Sequence, residues 1–325
     1  MKIRRAGRRR EDPDHGAADP ARSGDAYAAR RARARWRFSA LNLAIALFLL
    51  GGLSLFTYPA AAGWVSAYNQ SHVLVNQSAE NSRKGSEQID AELALAHQYN
   101  DQLQSKALYS ARANVVSGTG SSASDLDYWK LVESSPGGVM ARLKIPSISV
   151  DLPIYHGTSD ATLLKGGGHL EGTSLPVGGP GTRAVLAAHR GLAHAAMFND
   201  LDKVREGDRF SIGVLNQVLT YKVVQIEVVT PDATQEIRPA SSRDLVTLVT
   251  CTPMGMNTHR ILVTGERTPA TSDEIAAMNR PPTIRFPWWL VIYVAGVVVI
   301  GTRYWLCGLP KRPRTAGRPS AARRP

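Results

Sequence analysis

A cysteine and an arginine stand at the facing ends of two predicted β-strands. Cys251 follows the run 244–250, whose apolar and hydroxyl residues indicate a strand. Arg260 comes nine residues after the cysteine and opens a second apolar run, so we expect the two side chains to lie close together. A thiolate attacks carbonyl carbons, and a guanidinium stabilises the anion that such an attack creates. The pair therefore indicates a candidate active site with a cysteine nucleophile.

A cysteine nucleophile usually works with a base or a cation that carries its proton or stabilises its thiolate. Among the histidines, His189 is the best placed, because it ends the apolar run 183–188 and opens into a loop. His156 and His169 lie in glycine-containing segments that indicate turns. His189 and His194 lack the spacing of a zinc-binding pair, and no cluster of carboxylates or cysteines joins them, so we predict no metal.

The positive charge of the chain is concentrated at its two ends. The formal net charge is +12 and the pI is near 9.9, values that would also suit a nucleic-acid-binding protein. Residues 1–37, however, hold twelve Lys and Arg against five acidic residues, and residues 303–325 hold seven against none. The region between them is close to neutral, so we predict no nucleic-acid partner.

Each basic end adjoins an apolar segment long enough to cross a bilayer. Residues 38–64 include no charged side chain over 27 positions, and residues 286–302 include none over 17. Basic residues concentrate on the cytoplasmic side of membrane segments, so two helices in membrane lipid would place both termini in the cytoplasm and residues 65–285 outside. A cleavable signal peptide is the alternative for the first segment, helped by the small residues 60–62, but its length favours an uncleaved anchor.

This topology bears on the role of Cys251. In isolation, a cysteine that ends an apolar strand is more often a small buried hydrophobic residue than a nucleophile. The predicted exported region contains this one cysteine, since Cys307 lies at the far end of the second apolar segment, so no internal disulfide can form there. A single thiol in an oxidising compartment needs a reason, which favours the nucleophile.

The predicted exported region divides into a helical part and a strand-rich part. Residues 79–113 carry apolar positions spaced by threes, fours and sevens, which predicts an amphipathic helix or helix pair. Residues 114–125 form a Gly- and Ser-rich linker. From about residue 139, six or more short β-branched runs broken by Pro and Gly predict a β-barrel or sandwich with one core.

Four segments carry a resemblance to a known family. They read LPIYHGTSDATLLKGGGHLEGTSLPVGG, AVLAAHRGL, FNDLDKVREGDRF and LVTLVTCTPMGMNTHRILVTGER. Together with the paired apolar segments, they resemble the class C, pilin-polymerising sortases of Gram-positive bacteria, and the resemblance covers residues 135–268 almost without a break. No Walker loop, dinucleotide fingerprint or EF-hand spacing competes with it.

The resemblance implies a mainly β fold, an eight-stranded sortase barrel preceded by a helical region and flanked by two transmembrane helices. It implies a cysteine transpeptidase with Cys251 as nucleophile, His189 as general acid and base, and Arg260 as the transition-state arginine. Such an enzyme cleaves an LPXTG-like sorting signal between Thr and Gly and joins the acyl group to a lysine amine of the next pilin subunit. Its partners would be pilin subunits and other LPXTG-bearing surface proteins, and it would need no cofactor.

The predicted domain organisation places the catalytic domain outside the cell membrane. In chain order, the parts are a basic cytoplasmic tail (1–37), a first transmembrane helix (38–64), an extracellular helical region and linker (65–134), the sortase catalytic domain (135–268), a juxtamembrane linker (269–285), a second transmembrane helix (286–303) and a basic cytoplasmic tail (304–325).

The segment before the barrel departs from the family pattern. Class C enzymes commonly carry an Asp-Pro-aromatic lid motif there, whose Asp and aromatic side chains cover the active site. The nearest counterpart is Asp127-Tyr128-Trp129, without the proline. Asp127 and Trp129 are therefore candidate lid residues, and Thr250, next to the cysteine, is a candidate substrate-binding residue. The alternative for residues 128–132 is a helix that simply enters the barrel.

Two other functions stay open. A sortase that anchors surface proteins to cell-wall peptidoglycan is one, although the second membrane helix and the helical region are less expected for it. A membrane-anchored assembly scaffold that binds sorting signals without turnover is the other, and the set of Cys251, His189 and Arg260 argues against it.

Overall fold

The computed structural model describes residues 36–309, apart from 105–106, 110–115, 119–120, 123–125, 135–136, 193–194, 196, 234 and 238–241. Most of the two predicted basic tails, most of the Gly- and Ser-rich linker and His194 therefore lie outside the described residues. The chain divides into two units. One holds the residues up to Ser54 and from Ile292 onward, and the other holds Leu55–Val291.

Two helices precede the barrel. The first, α1, is a single helix over Ala40–Arg83, and the second, α2, spans Ser86–Gln102. Ile89, Leu93 and Ala96 lie in the predicted amphipathic region 79–113, and they are buried on α2 and belong to the main hydrophobic core. The helical prediction is wrong for residues 103–104 and 107–109, which form strands. Four short strands follow: Leu103–Gln104 (β1), Ala107–Tyr109 (β2), Val116–Gly118 (β3) and Ser121–Ser122 (β4). β1 pairs with β4, and β2 pairs with β3.

The larger unit is built around a closed barrel of eight strands. Their bounds are Val139–Ile145 (β5), Val150–His156 (β6), Gly167–His169 (β7), Arg183–Ala187 (β8), Arg209–Val214 (β9), Gln217–Val229 (β10), Leu245–Thr252 (β11) and His259–Thr268 (β12). The order around the barrel is β10, β12, β11, β8, β7, β6, β5 and β9. The predicted eight-stranded barrel is confirmed.

Two of the barrel pairings are parallel, β6 with β7 and β8 with β11. Strand β11 lies between β8 and β12, and each of its residues before Thr252 is buried. Side chains fill the interior of a barrel of this size, and Phe210 and Tyr221 stack there with ring centroids 5.6 Å apart. The strand that carries Cys251 is therefore supported by a strand on each side and by a packed core.

Three further α-helices lie within the described residues, one of them between β6 and β7 and two after the barrel. They are Asp160–Leu163 (α3), Ser272–Asn279 (α4) and Trp288–Gly308 (α5). Helix α4 begins with a capping box made by Thr271 and Glu274. Arg209 on β9 donates to both carboxylate oxygens of Glu274, at 2.6 and 2.9 Å, and so ties α4 to the barrel.

Helices α1 and α5 each contain a segment long and apolar enough to cross a membrane. Within the smaller unit, the hydroxyls of Ser54 on α1 and Tyr293 on α5 lie 3.4 Å apart. A Cβ added to Gly296 would lie 2.6 Å from Leu53 Cδ2, so a glycine permits the two helices to pack closely here. The prediction of two apolar helices flanking the barrel is confirmed, and α1 continues past the predicted boundary at residue 64 as far as Arg83.

Candidate active site

The end of strand β11 carries the candidate nucleophile. Its antiparallel pairing with β12 sets Cys251 directly opposite Arg260, as the sequence predicts. Cys251 is 6% exposed, and Arg260 has no exposed surface. Arginine is rarely buried to this degree, because a guanidinium taken out of water must find hydrogen-bond acceptors.

The loop between β11 and β12 supplies such acceptors. Arg260 Nη1 donates to the carbonyl oxygen of Asn257 at 2.9 Å and to that of His259 at 3.0 Å. Gly255 and Asn257 have positive φ angles of 85° and 57°, a conformation that Gly and Asn adopt at least cost. The loop conformation therefore holds the guanidinium beside the strand end that carries Cys251.

The parallel pairing of β8 with β11 brings His189 to the same end of the barrel. The pairing sets Ala187 opposite Val249. His189 and Cys251 each lie two residues further along, and residues two apart on a strand share a face. His189 is half-buried, and its carbonyl oxygen accepts a hydrogen bond from the N–H of Phe198 at 3.1 Å. Cys251 and Arg260 thus lie at the ends of β11 and β12, and His189 lies two residues past the end of the neighbouring β8.

Burial and the Arg260 charge act in opposite directions on the Cys251 thiol. Burial raises the pKa of the thiol because it disfavours the thiolate, and the neighbouring guanidinium lowers it. Burial has the larger effect, so the thiol is protonated at neutral pH. A base must then remove the proton when a substrate arrives, and the imidazole of His189 at the neighbouring strand end is a group of the right type.

Thr250, the predicted substrate-binding residue, has a contact inside the protein. It is buried, and its hydroxyl donates to the carbonyl oxygen of Ala188 at 2.8 Å. The bond ties the strand of Cys251 to the residue before His189. Its role in binding substrate stays a prediction.

The predicted lid residues belong to a short 3-10 helix and its cap. The helix spans Tyr128–Lys130, and Asp127 caps it by accepting a hydrogen bond from the N–H of Trp129 at 3.1 Å. The Trp129 ring lies against Gly157, where an added Cβ would approach it to 2.8 Å. The Trp129 residue is 53% exposed. The segment is thus a short 3-10 helix in contact with the barrel at Gly157, and whether it also acts as a lid stays a prediction.

Strand register relates this segment to the cysteine. His156, whose ring lies 6.2 Å from that of Trp129, is aligned through β7 and β8 with Leu248 on β11. Leu248 comes three residues before Cys251, or about 10 Å along a strand. Asp127 and Trp129 are therefore outside the row of residues that contains Cys251, and a lid formed by them stays a prediction.

A second histidine-containing region surrounds Tyr128. The tyrosine hydroxyl lies 2.9 Å from His169 Nδ1 and accepts from the N–H of Gly157 at 3.0 Å. His169 Nε2 lies 2.8 Å from the carbonyl oxygen of Ser174, so Nε2 carries the proton. The tyrosine hydroxyl shares its proton between His169 Nδ1 and the His169 carbonyl oxygen, which lies 3.1 Å away. Burial lowers the pKa of His169 to about 3, and the ring stays neutral at physiological pH. The sequence placed His156 and His169 in turns, whereas they are the last residues of β6 and β7.

Within the part of the chain that the structure describes, no group of three or more His, Cys, Asp or Glu side chains is arranged to hold a metal ion. One contact near the site was missed from the sequence. Arg190, next to His189, donates to the hydroxyl of Thr252, next to Cys251, at 3.1 Å. The two residues are 62 positions apart, so no local sequence pattern pairs them. The one indication in the sequence is that each directly follows a candidate catalytic residue.

Comparison with known proteins assigns the family. The Sortase domain model matches residues 143–268. The chain is similar to Sortase C-1 from Actinomyces oris, with 47% identity, a TM-score of 0.50 and coverage of 56% of this chain and 99% of that one. This chain belongs to the sortase family. Sortases are cysteine transpeptidases, so the predicted enzyme class is confirmed at the level of the family.

Two further relatives of this sortase differ in their class names. Sortase C from Streptococcus pneumoniae, whose structure addresses catalysis and pilin substrate specificity, is 35% identical, with a TM-score of 0.55 and coverage of 62% of this chain and 98% of that one. Sortase A from Bacillus anthracis is 29% identical over 128 residues, which are 39% of this chain and 59% of that relative. The chain thus matches little more than half the length of this curated relative.

Proposed function

We propose that this sortase is a class C transpeptidase that joins pilin subunits through isopeptide bonds. The observation that carries the proposal is the pairing of Cys251 with Arg260 across β11 and β12, at the barrel end where β8 leads into His189. The similarity to Sortase C proteins, one of them described with a pilin substrate specificity, supports the choice of pilins as substrates.

The first half-reaction forms a thioester. Cys251 Sγ attacks the carbonyl carbon of the Thr–Gly bond in an LPXTG-like sorting signal, and His189 takes up the thiol proton. Arg260 donates to the oxyanion of the tetrahedral intermediate or holds the substrate backbone. As the C–N bond breaks, His189 gives the proton to the departing glycine amine. The products are an acyl-enzyme on Cys251 and a peptide with a free amino group.

The second half-reaction transfers the acyl group to an amine. A deprotonated lysine amine of the next pilin subunit attacks the thioester carbonyl, and His189 accepts the proton that the new amide nitrogen loses. The C–S bond breaks, and the Cys251 thiolate regains a proton from His189. Water in place of lysine would give hydrolysis, so the exclusion of water decides between transpeptidase and protease.

The proposal is tested with the full chain in detergent and a pilin that carries both a sorting signal and an acceptor lysine. Wild-type protein should form a thioester at Cys251, detected by intact mass and cleaved by hydroxylamine, and then a ladder of pilin oligomers. Cys251→Ala should abolish both products and leave the barrel folded, because it removes one sulfur from a strand end. Ladders that persist with Cys251→Ala would exclude Cys251 as the nucleophile.

The identity of the acceptor distinguishes pilin polymerisation from anchoring to peptidoglycan. Anchoring is the second candidate, because the relatives of this chain include a Sortase A from Bacillus anthracis as well as Sortase C proteins. In a competition between the pilin lysine and the amine of a cell-wall stem peptide, we expect isopeptide-linked pilin as the main product. Transfer to the stem peptide alone would favour anchoring. Binding of the sorting signal without cleavage would favour a scaffold.

We further propose a two-pass topology with both termini in the cytoplasm and the barrel outside. The basic residues in both tails support this orientation. Aromatic pairs of the kind that concentrate at both membrane interfaces support the two membrane spans, although not their orientation: ring centroids lie 6.5 Å apart for Trp64 and Trp289, and 6.1 Å apart for Trp36 and Trp305.

Cys307 reports on this topology, because it is exposed on α5 next to the C-terminal basic tail. In a Cys251→Ala background, a membrane-impermeant maleimide on intact, wall-permeable cells should not label Cys307. Labelling should appear once the membrane is permeabilised. Labelling on intact cells would reverse the proposed orientation.

A further inference from the structure

The residue that follows His189 is held by three residues from two segments of the chain. Arg190 Nε donates to the carbonyl oxygen of Asn199 at 3.1 Å. Its Nη1 donates to Thr252 Oγ1 at 3.1 Å, and its Nη2 lies 2.6 Å from Asp202 Oδ2. The Arg190 side chain is 9% exposed. The guanidinium is therefore a buried junction, and each of its nitrogens binds a different residue.

This junction extends the link between two strands of the site. The N–H of Ala188 donates to the carbonyl oxygen of Val249 at 3.2 Å, and the Thr250 hydroxyl donates back to the carbonyl oxygen of Ala188 at 2.8 Å. Strand β8 has ended by this point. Two residues further along each segment, the side chains of Arg190 and Thr252 provide the next connection.

The connection between Arg190 and Thr252 adjoins the reacting groups in the chain. Arg190 directly follows His189, and Thr252 directly follows Cys251. The register between β8 and β11 ends at Ala187 and Val249, and the bond from the N–H of Ala188 to Val249 extends the pairing by one residue. Beyond it, the bond between Arg190 and Thr252 joins the two segments one residue past the candidate catalytic pair.

A third contact follows in the same series. Gly191 has a φ of +83°, and an added Cβ would lie 2.7 Å from Met254 Cγ, so this close approach requires a glycine. The N–H of Gly191 also donates to Asn199 Oδ1 at 2.7 Å. Alternate residues of the cysteine segment, Thr250, Thr252 and Met254, each contact the segment that carries His189.

We propose that Arg190 is a positioning residue that sets the separation between His189 and Cys251. This role rests on the proposed function, because the separation matters only if the two groups exchange a proton. The planar fork of an arginine can bind several acceptors at fixed angles, which the single ammonium group of lysine cannot do. Asp202 offsets the Arg190 charge at 2.6 Å, so Arg190 acts through geometry rather than through its electric field.

Steady-state kinetics of the full chain in detergent, with a fluorogenic sorting-signal peptide, test this role. Arg190→Gln and Thr252→Val should each lower kcat by about 10- to 100-fold and change KM by less than about twofold, because a displacement near 1 Å costs rate rather than binding. Thr252→Ser keeps the acceptor oxygen and should restore most of the loss. Arg190→Lys should restore only part of it.

The double variant separates a shared link from two independent effects. The double variant with Arg190→Gln and Thr252→Val should be as active as the less active of the two single variants, because both substitutions break the same bond. Losses that multiply would overturn the proposal. A kcat of Arg190→Gln within twofold of wild type would overturn it as well.

Arg209→Gln is the matched control, because Arg209, like Arg190, forms an ion pair with a carboxylate at 2.6 Å, but lies on β9. It should lower the melting temperature and leave kcat unchanged. If Arg190→Gln fails to fold, Thr252→Val carries the test, since it keeps the ion pair between Arg190 and Asp202. If the wild-type protein shows no turnover that Cys251→Ala abolishes, the proposed function is overturned, and this inference with it.

Discussion

Two regions of the same barrel use a histidine in different ways. Around His169, the ring is fully buried, with Nε2 bound to the carbonyl oxygen of Ser174 at 2.8 Å and Nδ1 bound to the hydroxyl of Tyr128 at 2.9 Å. Around His189, the ring is half-buried at the end of β8, in line with Cys251 on β11. A histidine whose two nitrogens hold protein atoms is not available to exchange protons with a substrate. Partial exposure just past the end of β8 therefore distinguishes the candidate acid and base from the fully buried His169.

The largest expected difference between the two regions is in turnover. His189→Ala should lower kcat/KM for the sorting-signal peptide by about 100-fold or more, the usual contribution of a general acid and base, with little change in melting temperature. His97→Ala is the control, because His97 is also half-buried but lies on α2. Activity of His189→Ala within tenfold of wild type would remove His189 from the mechanism.

The local parts of this site could be predicted from the sequence. Cys251 and Arg260 belong to two strands joined by a short loop, so their pairing follows from local strand pattern alone. His189 was found because an apolar run stops at it. The apolar runs predicted a barrel or a sandwich, and the family resemblance predicted the barrel.

The long-range contacts could not be predicted in this way. The bond between Tyr128 and His169 spans 41 residues, and the bond between Arg190 and Thr252 spans 62. Both depend on the order of strands around the barrel, which cannot be predicted from the spacing of apolar residues within a segment. For the same reason, the sequence placed His169 in a turn, although pairing with β6 and β8 makes it the end of a strand.

The next effect should be on stability, and it should appear at the other region. His169→Ala should lower the free energy of unfolding by about 2–4 kcal/mol, because it leaves the Tyr128 hydroxyl and the Ser174 carbonyl without their partner and opens a cavity. The variant that remains folded should keep turnover within a few-fold of wild type. A loss of turnover equal to that of His189→Ala, in a fully folded His169→Ala protein, would end the distinction between the two histidines.

The same histidine should make stability depend on acid. Its folded-state pKa of about 3 lies below the ordinary 6.5, so the neutral ring favours the fold. This contribution is complete above pH 6.5 and is lost as the pH falls towards 3. Urea unfolding of wild type should therefore show lower stability at pH 5 than at pH 7, and the decrease should be smaller in His169→Ala. Equal decreases in the two proteins would assign the acid sensitivity to other groups.

A smaller effect should appear in the reactivity of the thiol. Because burial raises the pKa of Cys251, alkylation by iodoacetamide should reach half its maximal rate above pH 8.5 or so, the ordinary thiol value. Arg260→Gln should move this midpoint higher, since the charge that lowers the pKa is gone. Both measurements use a Cys307→Ser background, so only Cys251 reacts. A wild-type midpoint below the ordinary value would indicate a stabilised thiolate in the resting site.

The smallest expected effect concerns Trp129. Trp129→Ala should lower the free energy of unfolding by about 1–2 kcal/mol, because this half-exposed ring loses its contact with Gly157. The rate of Cys251 alkylation should not change. The Trp129 ring lies next to His156, which is aligned across the strands with Leu248, three residues before the cysteine. Faster alkylation at an unchanged melting temperature would instead support a lid.

The parallel pairing of β8 with β11 has a consequence for when the thiol becomes reactive. Contacts across this pair close a loop of about 60 residues, as in the 62-residue separation of Arg190 and Thr252, whereas β11 and β12 meet through a short hairpin. Closing a long loop costs more entropy than closing a hairpin, so we expect β8 to join β11 after the hairpin has formed. A folding chain would then hold Cys251 next to Arg260 before it holds His189 in place. Barrel closure would act as a maturation step, in which transpeptidation begins only in chains that have finished folding.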